Sequence, residues 1–242
     1  MDSLTALAAS GLRARSESLD LLANNLANAG TAGYKSDREF YGLYRAAEAG
    51  DSGEVMPVIE RQWTDFSQGT LQPTGNALDL ALTGRGFFAV NGPSGPLYTR
   101  NGNFRTSPGG RLETAEGYPV RGTGGGVLTL TSGRSIEISG DGTVRQDGRV
   151  IGQLEIVDFT STAGLSKLGR SYFGAGETGT PSARPADTAV EQGKLEGANV
   201  GTAESAVRLV SVMRQFEMLQ KAVTLGSEMN RRAIEEVARV SS

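Results

Sequence analysis

The chain has neither cysteine nor histidine. Their absence removes thiol nucleophiles, Ser-His-Asp relays, zinc sites built on sulfur or imidazole, and disulfide scaffolds. Aromatic residues make up only 6% of the 242 residues, with a single tryptophan, and no basic block is interleaved with them, so nucleic acid has no footprint here. No run of about 18 apolar residues occurs, so no segment reads as a membrane span. Met1-Asp2-Ser3-Leu4 lacks a basic stretch leading into an apolar core and does not read as a secretory leader. Proline is scarce as well, and none lies between Thr202 and Arg239.

That proline-free stretch reads as one helix, about 57 Å long at roughly 1.5 Å per residue, far longer than the usual three or four turns. Leu209, Phe216, Val223 and Val237 recur on one row, with Ala206, Met213 and Ile234 on the row three or four residues away. This is the spacing of a coiled-coil seam. Gln220, Ser227 and Asn230 fall on the same seam, where polar residues cost stability and fix register. Thr202 offers a capping side chain, Glu204 suits the first turn and Arg231, Arg232 and Arg239 suit the last. A long amphipathic helix lying on its own domain accounts for the pattern equally well. A second helix is expected from Ser3 to about Asn28, with Leu12, Leu19, Leu22 and Leu26 at spacings of seven, three and four. Asn24, Asn25 and Asn28 crowd its last turn, as a fraying end or as a side-chain network that ties the helix to neighbours. Gly30 and Gly33 then stop it.

Between the helices, glycine is abundant, 34 residues in all, about twice the usual share. Ala46 to Gly53 is a small-residue linker signal, and Val55 to Ala81 reads as extended. From Arg85 to Phe173, short alternating runs are separated by turn residues. The clearest is Asn101-Gly102, expected to turn a hairpin between Leu97–Arg100 and Asn103–Thr106, and Asp141-Gly142 and Asp147-Gly148 repeat the device. Regular short strands of this kind imply a small sandwich or barrel. Gly174 to Asp187 reads as a connection. The expected fold class is thus α+β: long N- and C-terminal helices forming a coiled-coil-like assembly domain around a central all-β domain. The divisions are residues 1–36 (N-terminal helix), 37–80 (extended linker), 81–175 (β domain), 176–200 (linker and short strand) and 201–242 (C-terminal helix).

No enzyme constellation rises above background. Gly84-Arg85-Gly86 lacks the third glycine and the helix of a phosphate loop, and Asp141 and Asp147 lack the intervening ligands of a calcium loop. Ser166-Lys167 has the wrong spacing for a serine–lysine acyltransferase. Phe87, Phe88, Tyr98 and Phe104 read as core rather than as a binding face.

Three blocks are recognisable beyond pattern. Leu21-Leu22-Ala23-Asn24-Asn25-Leu26-Ala27-Asn28-Ala29-Gly30-Thr31-Ala32-Gly33-Tyr34-Lys35 resembles the N-terminal signature of the flagellar axial proteins, the rod and hook group. Phe87-Phe88-Ala89-Val90, Tyr98-Thr99-Arg100-Asn101-Gly102-Asn103-Phe104 and Gly117-Tyr118-Pro119-Val120 resemble their middle domain. Leu195-Glu196-Gly197-Ala198-Asn199-Val200 and Arg214-Gln215-Phe216-Glu217-Met218 resemble their C-terminal motif. Length and the last of these incline to the proximal-rod type, while Lys35-Ser36-Asp37-Arg38-Glu39-Phe40 is closer to the distal-rod pattern.

The resemblance implies a non-enzymatic structural subunit of the basal-body rod, without cofactor or metal, partnered by copies of itself, other rod subunits and the flagellar type III export apparatus. It implies no nucleic acid and no membrane insertion, and a place in the periplasmic rod reached without a cleaved signal. The implied assembly interface is Leu12, Leu19, Leu22, Asn24, Asn25, Leu26 and Asn28 at one end, and Leu209, Met213, Phe216, Gln220, Val223, Asn230 and Ile234 at the other. The rival from residues alone is a binding module whose β domain holds a carbohydrate or peptide and whose helices form an ordinary dimer coil.

Overall fold

The computed structural model describes residues 3–45, 55–169, 171–176 and 179–240. The linker expected at Ala46–Gly53 lies outside the described residues. The chain divides into two compact units, one made of Met1–Ala27, Asp37–Thr64 and Gly201–Ser242, the other of Asn28–Ser36 and Asp65–Val200.

The first, terminal unit contains helix α1 (Ser3–Ala27), helix α2 (Thr202–Val240) and an antiparallel ribbon of β1 (Asp37–Arg45) and β2 (Val55–Thr64). Ser205 N–H donates to Gly201 O at 2.8 Å, closing the first turn of α2, with Glu204 in that turn and Arg239 in the last, each matched to the local sign of the helix dipole. Helix α1 hides Gly11, Ala14, Ser18, Leu21, Leu22 and Asn25, a stripe stepping by three and four residues. Its small members allow close approach: a Cβ at Gly11 would meet Leu219 Cδ1 of α2 at 3.4 Å.

The expected coiled-coil pair is not what the chain builds. Val212 is buried on α2, and Leu209, Phe216, Leu219 and Val223 are half-buried, whereas Ala206, Met213, Gln220 and Ser227, on the second row of the expected seam, are exposed, as is Asn230 on the first. On α1 the covered stripe runs through Gly11, Ser18 and Asn25, one residue before Leu12, Leu19 and Leu26; on α2 the row of Leu209, Phe216 and Val223 is half-buried, and the row beside it is Val212 and Leu219, one residue before Met213 and Gln220. The reason is physical. Small and polar residues (Gly11, Ala14, Ser18) make the closest contacts on α1, and the β1–β2 ribbon takes part of the burial that a second helix would supply in a coil. The assembly domain of the expected fold class is therefore a helix-and-ribbon unit.

The β-rich unit holds fifteen strands among the described residues. They are β3 (Leu71–Pro73), β4 (Leu80–Thr83), β5 (Phe87–Gly92), β6 (Gly95–Thr99), β7 (Phe104–Thr106), β8 (Leu112–Thr114), β9 (Ile136–Ile138), β10 (Thr143–Gln146), β11 (Arg149–Gln153), β12 (Ile156–Phe159), β13 (Leu165–Lys167), β14 (Tyr172–Ala175), β15 (Pro181–Ala183), β16 (Ala189–Gln192) and β17 (Lys194–Glu196). The largest sheet has six strands in the order β13-β14-β6-β5-β12-β15; β11-β10-β9 form a second, and β16-β4, β17-β3 and β7-β8 pair separately. Strand β5 is buried on both faces. Phe88 and Val90 enter one hydrophobic cluster with Leu80, Leu82, Phe104 and Val144, while Phe87 and Ala89 enter another with Tyr98, Phe159 and Phe173. The aromatic rings meet edge-on, as in Phe87–Phe159 at 5.8 Å and Tyr98–Phe159 at 4.9 Å, the arrangement their quadrupoles favour.

The turns sort by locality. Asp147 (φ 50°) and Gly148 (φ 78°) link β10 to β11 with both central residues left-handed, the geometry of a primed two-residue hairpin. Asn101-Gly102 does not make the hairpin expected of it, because β6 pairs with β5 and β14, and β7 pairs with β8. Its glycine serves a crossing instead: a Cβ at Gly102 would lie 1.8 Å from Leu80 O. Gly102→Ala is therefore expected to destabilise the protein by more than about 2 kcal/mol, since backbone must move to admit one methyl group. Gly226, with nothing within 4 Å of a built Cβ, gives the opposite expectation: Gly226→Ala should stabilise α2 by about 0.5–1 kcal/mol. Urea unfolding followed by circular dichroism measures both.

Candidate functional site

The outer side of α2 carries an open apolar surface. Val207 is 72% exposed, Met218 61%, Leu225 60% and Met229 69%, with Val210 and Met213 about half exposed. Near the N-terminal end of the helix, Val207, Val210, Arg214 and Met218 border a groove of about 590 Å³. A run of large apolar side chains along several turns of one helix marks an interaction surface. On the ribbon, Phe40 and Trp63 are exposed too, with Arg38 stacked 5.9 Å from the Trp63 ring.

The residues singled out in the sequence divide between faces. Leu22 and Asn25 are buried, Leu12, Leu19, Leu26 and Asn28 are half-buried, and Asn24 is exposed. On α2, Leu209, Phe216 and Val223 are half-buried, whereas Met213, Gln220 and Asn230 are exposed. The side chain of Ile234 lies outside the described residues. Val207, Val210, Met218, Leu225 and Met229 were not singled out. Their signal is apolar size at non-heptad positions, which a search for one seam passes over.

Two polar clamps also escaped the sequence reading. Within the terminal unit, the Glu39 side chain, 1% exposed, accepts from Ser18 Oγ of α1 at 2.8 Å and from Arg208 Nη2 of α2 at 2.8 Å, so one carboxylate on the ribbon ties both helices to it. The Asn25 carboxamide grips the backbone of Asp37 at two points, donating to its carbonyl at 2.7 Å and accepting from its N–H at 3.0 Å. Of the two readings of the asparagine cluster, Asn25 follows the side-chain network.

The second clamp lies inside the β-rich unit. Glu196, fully buried, accepts from Lys35 Nζ at 2.5 Å, from Arg100 Nη1 at 3.2 Å and from Gly69 N–H at 2.9 Å. Lys35 Nζ also donates to Ser67 O at 2.7 Å, and Arg100 reaches Gly84 O at 2.6 Å and Leu82 O at 3.3 Å. Beside it runs a closed ring of hydrogen bonds. Asp65 N–H donates to Ser36 O at 2.8 Å, Ser36 N–H to Asn199 Oδ1 at 2.7 Å, and Asn199 Nδ2 to Asp65 O at 2.7 Å. These residues stand at three of the four places where the chain passes between units, so the β-rich unit binds those three connecting segments to one another. Lys35 and Glu196 both lie in recognised motifs, but 161 residues separate them and no local pattern announces the pair.

Burial pulls the Lys35 ammonium below its usual 10.5; Glu196 opposes that shift, and Arg100 adds to it. Burial likewise lowers Arg100, against the pull of Glu196, but a guanidinium starts high enough to remain charged. Burial raises Tyr98, and burial together with the hydrogen bond to Glu116 raises Tyr172. No group here is arranged as a nucleophile beside a base. The cluster is built to hold chain segments together.

Comparison with known proteins places these features in a family. Residues 7–35 match the model described as flagella basal body rod protein, residues 81–146 that of the flagellar hook protein FlgE/F/G D1 domain, and residues 191–236 that of the flagellar basal body rod FlgEFG protein C-terminal. The chain is 32% identical over 228 residues to the flagellar basal-body rod protein FlgF of Caulobacter vibrioides, covering 92% of this chain and 93% of that one. It is 33% identical over 253 residues to the rod protein FlgG of Agrobacterium fabrum, covering 93% and 95%, and 32% identical over 249 residues to that of Bacillus subtilis, covering 91% and 93%.

Two measurements test the buried clamp. Glu196→Gln leaves two buried cations without a carboxylate and should cost about 3–5 kcal/mol, whereas Arg134→Met, which breaks the exposed pair with Asp147, should cost under about 1 kcal/mol. The second concerns pH. Because Lys35 is depressed in the folded state, the unfolded chain binds more protons between that lowered value and 10.5, so stability rises with pH across this window. The raised tyrosines act the other way, but only once the unfolded chain loses its phenolic protons near pH 10. Below pH 10, unfolding free energy should climb with pH in the native chain and stay flatter in Lys35→Met; parallel profiles would contradict the assignment.

Proposed function

The chain belongs to the family of flagellar basal-body rod proteins, and on that premise we propose that it polymerises through its terminal unit and passes torque from the motor towards the hook. It is a structural subunit of the rod in the bacterial flagellar basal body. The observation that carries the polymerisation reading is the open apolar face of α2, a surface that a self-contained monomer has no reason to display over so many turns. Burying four such side chains contributes on the order of 6–12 kcal/mol before the entropy of ordering is subtracted.

The occupants of that face are other rod subunits, copies of this chain among them. The assembly residues are those of the two helices: Leu12, Leu19, Leu22, Asn24, Asn25, Leu26 and Asn28 on α1, and Leu209, Met213, Phe216, Gln220, Val223, Asn230 and Ile234 on α2. The exposed Val207, Val210, Met218, Leu225 and Met229 extend that set. Load that passes between the two units of one subunit reaches the covalent segments that join them. The ring joining Ser36, Asp65 and Asn199 supports this part of the reading, because it makes three connecting segments share a load that one alone would bear. Delivery through the flagellar type III export apparatus is part of the same proposal. Relatives named FlgF and FlgG match at nearly equal identity, which leaves the inclination towards the proximal rod resting on the Arg214–Met218 motif and the chain length.

Charge on the open face provides the test. The double variant Val210→Asp, Met218→Asp should leave the circular dichroism and thermal midpoint of the purified subunit unchanged while abolishing its incorporation into basal bodies and the motility it supports. Normal motility with both aspartates in place would rule out polymerisation through this face.

A further inference from the structure

We propose that residues 28–36 are a latch, a strap that docks into and leaves a slot in the β-rich unit while the sheets beneath it stay folded. The strap supplies no strand to any sheet; its residues form turns and an irregular crossing. Its one aromatic, Tyr34, is fully buried, yet belongs to neither hydrophobic cluster of the unit. Both clusters are made of residues outside the strap.

The slot is also electrically closed before the strap arrives. Glu196 is neutralised by Arg100, and Gly69 N–H occupies one of its oxygens. Both partners are positioned by the sheets, Glu196 by the β17–β3 pairing and Arg100 by its bonds to Leu82 O and Gly84 O. Lys35 brings a second cation to a carboxylate that already has one. Removing it leaves a balanced pair, and docking it requires stripping water from an ammonium. A slot lined by carbonyls and charged groups readily takes water when the strap is out, unlike an apolar cavity.

Besides the contacts of Lys35 with Glu196 and Ser67 and of Ser36 with Asp65 and Asn199, further polar contacts hold the strap. Gly33 N–H donates to Glu196 O at 2.7 Å, Asn199 N–H to Tyr34 O at 3.3 Å, and Lys167 Nζ, from edge strand β13, donates to Lys35 O at 2.7 Å while lying 4.0 Å from the centre of the Tyr34 ring. Lys167 thus fastens the strap from outside, through the Lys35 carbonyl and the Tyr34 ring. The latch stands on the β-rich unit alone and does not require the rod reading.

Hydrogen exchange on the full-length purified chain tests it. The amides of Gly33, Tyr34 and Ser36 report the strap, and those of Ala89, Val120 and Leu154, all hydrogen-bonded within the β-rich unit, report the folded sheets. The strap amides should show protection about 100-fold or more below the sheet amides, through a local opening. Lys167→Met should lower strap protection by about a further tenfold and leave the sheet amides unchanged. Strap and sheet amides exchanging at one rate in the native chain would overturn the latch. So would a Lys167→Met variant that lowers both sets together or changes neither.

Discussion

A single buried carboxylate sets the terms for the β-rich unit. Glu196 has no contact with solvent and sits between Lys35 and Arg100, one from the N-terminal crossing and one from the end of β6. Two cations for one anion is an expensive arrangement in a low-dielectric interior, where a well-packed apolar group of the same volume is often no less stable. What the arrangement secures is connection. It brings residues 35, 100 and 196 to one point, and beside it Ser36, Asp65 and Asn199 close a ring at three of the chain's four passages between units. A subunit that must hand mechanical load from one unit to another has use for such a point.

The terminal unit applies the same economy on a smaller scale. Glu39 ties α1 and α2 to the ribbon with one side chain, and the Asn25 carboxamide substitutes for a strand by pairing with the Asp37 backbone. Polar clamps at these points leave the apolar residues of α2 available. A helix that spent all its large side chains on its own ribbon would have little left for neighbours. Here Val212 and Leu219 face inward while Val207, Met218 and Met229 remain open, so the same helix has one covered face and one waiting face.

Features with local causes were legible in the sequence. The two long helices follow from periodicity and proline-free length, the Asp147-Gly148 hairpin from two residues that accept left-handed backbone, and the family from three ordered motifs. Features with distant causes were not. Gly102 is a glycine because Leu80 O passes against it, not because a hairpin turns there, and the two look alike in sequence. The covered face of α1 falls one residue from the leucine row because Gly11, Ala14 and Ser18, which are buried there, carry the least hydrophobic signal. The ribbon partner that displaced the expected coil comes from a stretch that reads only as extended. The pairing of Lys35 with Glu196 joins two motifs across most of the chain, and only the fold shows that they meet.

The central claim is that the open face of α2 is covered in the assembled rod. Hydroxyl-radical footprinting of Met218 and Met229, read by mass spectrometry in the free subunit and in purified basal bodies, addresses it directly, because an accessible thioether oxidises to the sulfoxide and a covered one is spared. Both methionines should oxidise readily in the free subunit and at least about tenfold more slowly in the rod. Equal oxidation in the two states would mean that this face stays in water throughout, and the account of assembly given above would be wrong.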